Sequence, residues 1–325
     1  MARARVGEDV SGAAPVLAVL GAAENAAEAG VLALAGEIAR AEGAPLAAML
    51  AEAPPRDMAL VARAAGVSEG EAARRLEAAL AARLAALCEG AVPQEAREVR
   101  LGKPFIEIIR AVRRRQARLL IKRAEDLPGW GAPLFASTDQ HLLRKCPCPV
   151  WLWRGDRPRR PHALLAAVDL SGEAERELNL AIVETAARIA APEGAEIRLL
   201  HAWRAEGEGM AWLWSDDPGA HARYLRETEA EHARALRAFE TEARARLKAL
   251  GLGRVLLRPA LRRGAARQVI PAEAGGGDAE VLVMGTLSRS GVPGLLIGNT
   301  AEDVLNSVGI SVVTVKPPGY ESPIA

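Results

Sequence analysis

Short apolar runs alternate with longer stretches of helical spacing along the whole chain. In the first half the runs at residues 15–20, 45–50, 118–122 and 149–153 read as buried strands, and 95–101 reads as a weaker one. Between them an alanine-rich stretch to residue 42, residues 57–65, 68–89, 104–112 and 138–144 read as helices. The helix at 68 opens on Ser68-Glu-Gly-Glu71, a capping box, and the one at 104 carries proline in its first turn. The second half repeats the alternation. Strands are expected at 163–168, 196–202, 254–261, 281–285 and 310–315, and helices at 173–191, 219–250, from Ala265 and from Gly298. On the long helix Leu225, His232, Leu236, Phe239, Ala243, Leu247 and Leu250 recur at three- and four-residue steps, giving one apolar face. Glu240/Arg244 and Glu242/Arg246 are expected to pair across its exposed side.

The two halves are offset copies. A shift of 162 pairs Gly102 with Gly264, Ile108 with Ile270, Thr138 with Thr300, Leu143 with Leu305 and Val150 with Val312. Near the start the shift is 148, pairing Leu17 with Leu165 and Gly21 with Asp169. Such a repeat argues for two copies of one α/β domain, 1–156 and 157–325, each a five-stranded parallel sheet with helices on both faces. The polar, proline-bearing stretch 154–161 is the expected linker.

Composition narrows the function. With 325 residues, 50% hydrophobic, 26% charged and a net charge of +1, the chain reads as globular, and its charge makes no case for nucleic acid or an anionic membrane as partner. No apolar run reaches bilayer length, the first ten residues carry no secretory pattern, and three cysteines suit a reducing cytoplasm. Cys146-Pro-Cys148 lacks a second ligand pair at zinc spacing and reads as structural, and His201 within its strand reads as packed. Arg113-Arg114-Arg115 reads as a solvated helix end.

The chemistry gathers at one stretch. Val281-Leu-Val-Met-Gly285 is a strand ending in glycine; a Gly/Ser/Pro loop follows, and Gly298-Asn299-Thr300 opens a helix with polar capping residues. Strand end, loop and helix start form an anion cradle, in which glycine admits the ligand and free amides face it. Asp169 ends another strand, so in an open parallel sheet it would meet Gly285 at the binding crevice.

These residues resemble the universal stress protein family in its tandem, E-type form. ATP-binding members carry Gly, two residues, Gly, nine residues, then Gly and Ser or Thr; here Gly285, Ser288, Gly298 and Asn299 stand at those positions, with Thr300 one step on. Asp169 matches the family's aspartate at the nucleoside, Ala202 the adenine-contacting position, and Val168 and Met284 lie beside them. The segments around Val312-Val-Thr-Val-Lys-Pro-Pro and His141-Leu-Leu-Arg-Lys-Cys-Pro-Cys look like the same branch. The resemblance implies a cytoplasmic stress-response protein that binds ATP or a related nucleotide in its second half, with magnesium only as the nucleotide's companion. It also implies that strands 150–153 and 311–315 pair across a pseudo-two-fold axis, with a further homodimer open. In the first half Gly21 replaces the aspartate, Lys122 stands for Gly285 at a shift of 163, and Ala136 replaces Gly298, so that site is expected to be degenerate. Two other classes remain: a scaffold or binder of a non-nucleotide ligand, with Trp212 and Trp214 over the crevice, and a slow ATPase, for which no general base or phosphate-binding lysine loop is evident.

Overall fold

A computed structural model of the protein describes residues 13–22, 26–125, 137–155, 157–208, 217, 219–286 and 298–325. The first half runs β1 (Val16–Leu20), α1 (Ala26–Ala41), β2 (Leu46–Glu52), α2 (Met58–Ala64), α3 (Glu69–Leu87), β3 (Arg97–Leu101), α4 (Pro104–Arg115), β4 (Leu119–Arg123), α5 (Ser137–Lys145) and β5 (Val150–Trp153). The second runs β6 (Ala163–Ala167), α6 (Arg176–Ile189), β7 (Glu196–Trp203), α7 (Ala220–Ala249), β8 (Leu256–Arg263), α8 (Ala266–Gly275), β9 (Val281–Gly285), α9 (Asn299–Leu305) and β10 (Ser311–Val315). Local signals set the boundaries where expected. The Ser68 side chain accepts from Glu71 N at 3.2 Å, and α4 starts on its proline.

All ten strands form one sheet in the order β3-β2-β1-β4-β5-β10-β9-β6-β7-β8. Every pairing is parallel except β5 with β10, where Trp151 opposes Val313 and Leu152 opposes Val312 in antiparallel register. The last strands of the halves therefore pair as expected, which covers two edges that would otherwise be open. Alternate residues feed two cores, one on each face of the sheet. One face holds Val16, Ala18, Trp151, Val283 and Val313 under α1, α3, α6 and α7; the other holds Leu17, Leu152, Leu282 and Val312 under α4, α5, α8 and α9. Each core runs through both halves.

Three expectations are corrected. Lys122 is level with Val19 on β1 and Met284 with Ala167 on β6, so Lys122 corresponds to Met284, and Arg123, not Lys122, stands for Gly285. The shift of 162 thus holds through the strand. Glu242 and Arg246 do not pair with each other: Arg246 reaches Glu184 of α6 at 2.6 Å, and Glu242 takes Arg176 of α6. An inter-helix partner wins because α6 packs beside α7 and offers opposite charges. The arginines at 113–115 are not merely solvated. Arg113 donates to the Ile324 carbonyl, Arg110 to that of Ala325 at 3.1 Å, and Arg114 and Arg115 both reach Glu98.

Candidate functional site: the crevice of the second half

β6 lies between β9 and β7, the point at which successive connections leave in opposite directions, and its C-terminal end opens into a crevice. Beyond β6, Val168 N bonds to Leu200 O at 3.0 Å and Asp169 follows. Asn179 of α6, 2% exposed, clamps the Asp169 backbone from both sides: its Oδ1 accepts from Asp169 N at 3.1 Å and its Nδ2 donates to Asp169 O at 2.6 Å. The carboxylate turns back to Ser171, accepting from its amide at 3.1 Å and from its hydroxyl.

On the other side of β6, Gly285 ends β9. A Cβ there would come within 2.8 Å of Leu178 Cδ2, so the α6 leucine packs directly on the glycine. Thr286 is fully buried, and its carbonyl accepts from Gly298 N at 3.2 Å, joining the strand end to the start of α9. Gly298 is the N-cap of α9, so the cap itself has no side chain and Thr300 sits inside the first turn rather than capping it. The first intrahelical bond runs from Glu302 N to Gly298 O at 3.0 Å, which leaves the amides of Asn299, Thr300 and Ala301 ahead of the helix ladder.

The crevice, about 1270 Å³, is lined by Val168, Asp169, Ala202, Met284, Gly285, Gly298 and Thr300. Asn299 lies between Gly298 and Thr300 as the first residue of α9. Ser288, Met210, Trp212 and Trp214 fall outside the described residues.

Sequence reasoning missed the wall facing these residues. His201 of β7 is 1% exposed and its Nε2 lies 2.9 Å from Nδ1 of His232 on α7, while its Nδ1 lies 3.3 Å from the Val168 carbonyl. Burial holds the His201 imidazolium below the usual histidine range, with His232 adding to the effect against Val168 and Asp169. Trp203 stacks on His232 with centroids 5.5 Å apart, and Tyr224 OH accepts from Gly207 N at 2.8 Å, tying α7 to the segment after β7. Arg204 and Arg267 line the crevice together with the carboxylates of Glu175, Glu206 and Glu231. The signal was present: His201 and His232 both fall on inward-facing positions, but only the fold brings together residues 31 apart.

A nucleotide fits this donor set. Leading amides at α9 suit phosphates, and Asp169 is fixed at the strand end where hydroxyls of a ribose would bind. Among the described residues no group of three or more His, Cys, Asp or Glu is placed to hold a metal ion.

The corresponding end of the first half is filled by its own side chains. Lys122 lies 3.0 Å from Asp139 Oδ1 and 2.5 Å from Glu125 Oε1, and Glu125 N donates to Asp139 Oδ2 at 2.8 Å. Glu28 Oε2 accepts from Gly21 N at 2.6 Å, where the second half has Asp169. Carboxylates stand where an anionic ligand would need donors. Cys146 and Cys148 are buried free thiols with sulfurs 3.7 Å apart, and His141 faces Phe105 instead of them, with ring centroids at 4.1 Å.

Among the described residues no helix is long and apolar enough to cross a membrane. Two proteins named Universal stress protein E are similar in sequence: that of Photorhabdus laumondii is 29% identical over 243 residues, covering 73% of each chain. That of Escherichia coli K12 is 29% identical over 237 residues, covering 72% of this chain and 71% of its own. Two crystal structures share the fold. One, of a Pseudomonas aeruginosa protein described as a putative universal stress protein, has a TM-score of 0.62 at 24% identity and covers 94% of both chains. The other, a universal stress protein from Archaeoglobus fulgidus, has a TM-score of 0.57 at 18% identity and covers 93% of this chain and 98% of its own. The profile of the Universal stress protein family matches residues 16–154 and again 162–316. The chain belongs to the universal stress protein family, with the family's domain present twice.

Proposed function

We propose that the protein is a cytoplasmic stress-response protein whose second half binds ATP or a related nucleotide. The observation that carries this reading is the meeting of Asp169, Gly285, Gly298 and Thr300 in one crevice at the switch point of the sheet. Asp169 would take the ribose, the amides leading α9 would take the phosphates, and Ala202 would border the base. The first half serves as a structural partner, because Lys122, Asp139 and Glu125 satisfy one another there and Glu28 takes the Gly21 amide.

The reading is of binding rather than turnover. The paired imidazoles belong to β7 and α7, with β6 between them and the phosphate end at β9. A second reading, a non-nucleotide small molecule in the same crevice, is favoured by one contact: Leu178 against Gly285 gives the glycine a packing role without any phosphate.

Calorimetric titration of the full chain with ATP separates them. Saturable binding is expected, weakened at least tenfold by Gly298→Val, whose branched side chain would stand at the mouth of the amide cluster. Absence of saturable binding in the unaltered protein would exclude the nucleotide reading. Phosphate release above a buffer control would make it an enzyme.

A further inference from the structure

Lys316 follows β10 directly and stands one residue beyond the pairing of Val315 with Gly285. It therefore lies level with Thr286, the first residue after β9. It is 7% exposed, and its Nζ donates to the Thr286 hydroxyl and, at 2.7 Å, to the Leu143 carbonyl of α5. The Thr286 carbonyl in turn accepts from Gly298 N at 3.2 Å. Lys316 is thus tied, through one residue, to both the strand end and the helix start that form the anion cradle.

The groups that face it come from three elements. They are the Leu143 carbonyl and the Cys146 thiol at the end of α5, the Thr286 hydroxyl after β9, and the Tyr320 ring of the tail at 5.5 Å. None of these is a carboxylate. Burial, the larger effect, pulls the ammonium down to about 7 against an upward pull from Cys146, and burial holds the Tyr320 phenol above its ordinary range. A neutral amine keeps two N–H groups, one for each acceptor, so the bonds that hold Lys316 survive loss of the third proton. Only the charged form needs an anion nearby.

We infer that Lys316 is the counter-charge of the second-half cradle: a phosphate-bearing ligand that settles at Gly285 and Gly298 draws a proton from solution onto its amine. The ligand's negative charge stabilises the ammonium, and by reciprocity the ammonium tightens the ligand. One unit charge roughly 10 Å from a phosphate, at an effective dielectric near 20, changes binding by about tenfold. With ligand bound the proton is lost at higher pH than without it. Binding therefore takes up protons between those two values, and affinity falls as pH rises through that window. Lys316 acts through its field and through Thr286, so it is a positioning residue and not a ligand contact. The inference rests on the nucleotide reading and adds a proton to the binding event.

Calorimetric titration of the full chain with ATP, in two buffers of different ionisation heat, counts the protons taken up with the ligand. Lys316→Met keeps an unbranched side chain of similar length without a titratable group. Relative to it, the unaltered protein is expected to take up about half a proton more at about pH 7.5. Its ATP affinity is also expected to fall about tenfold more between about pH 6 and about pH 9. Titration of ATP's own phosphates and of other side chains is common to both proteins and cancels. In carbon-13 spectra of lysine-labelled unaltered protein, the Lys316 Cε signal is expected to titrate near pH 7 alone and near about pH 8 with ATP. That measurement decides the matter even if the variant fails to fold. Equal proton numbers in the two proteins, or a Lys316 midpoint that ATP does not move, overturns the inference while leaving the nucleotide reading intact. Failure of the unaltered protein to bind ATP overturns both.

Discussion

Lys316 shows how much one side chain depends on the whole fold. It follows β10 directly, is 7% exposed, and donates to the Leu143 carbonyl of the first half at 2.7 Å and to the Thr286 hydroxyl of the second. Burial pulls its ammonium down to about 7. The unfolded lysine holds its proton up to ~10.4, so between these values the unfolded state binds more protons and stability rises with pH. Below about 7 both states are protonated and this gain is absent. Lys316→Met is expected to remove about 2 kcal/mol of the rise in stability between about pH 7 and about pH 9, read as the difference between urea melts of the two proteins. An identical slope in both would show that Lys316 keeps its proton when folded. The Lys122–Asp139 pair makes a complementary case, because Asp139 is fully buried. Asp139→Ala leaves the ammonium with the half-exposed Glu125 and the Arg123 carbonyl but no buried counter-charge, and is expected to cost about 3–5 kcal/mol. Lys122→Met together with Asp139→Leu should recover most of that loss in the same melts; a double variant as unstable as the single one would mean packing, not charge, is at stake. Neither role was legible in the sequence, where Lys316 was one of a run of tail residues and Lys122 was matched to the wrong partner by one position.

At the scale of elements the sequence was far more legible. Prolines and glycines punctuate short apolar runs, and a period near two or near 3.6 separates strand from helix without tertiary information. The strand at 281–285, the capped helix at 68 and the long helix at 219–250 all fall where those signals put them. Side-chain partners between elements were less accessible. Seen along α7 alone, Glu242 and Arg246 are one turn apart and look paired; α6 offers Glu184 and Arg176 at the same surface and divides them. Arg246→Ala is expected to leave the melting temperature nearly unchanged because the guanidinium end of the pair stands in solvent, and Glu184→Ala combined with it should add little further. A double-mutant cycle by thermal melting reads this coupling, and a clear loss of melting temperature that the two single variants share would make the α6–α7 pair more than a solvent-screened contact. The site divides the same way. Asp169, Gly285 and Gly298 announce themselves by spacing, whereas Asn179, His201 and His232 matter through a clamp and a pairing that exist only once α6, β7 and α7 are stacked.

For the whole molecule, the repeat invites a picture of two separate bodies, and the sheet argues against it. β5 and β10 exchange hydrogen bonds in the middle of a ten-stranded sheet, and each hydrophobic face runs through the seam without a break. Trp151 and Val313, 1% and 0% exposed, meet at its centre, while the Lys316 ammonium and the tail beyond it hold the second half to α4 and α5 of the first. A change at the seam therefore removes support from both halves at once. Val313→Asp places a carboxylate in a core with no cation opposite it on the strand, at an expected cost of several kcal/mol. Because both cores share that strand, calorimetry of the full chain is expected to show one unfolding transition before the substitution and one, at lower temperature, after it. Two transitions, of which only the second-half one moves, would mean that the halves fold independently and that the shared sheet is a docking surface between them rather than a common core.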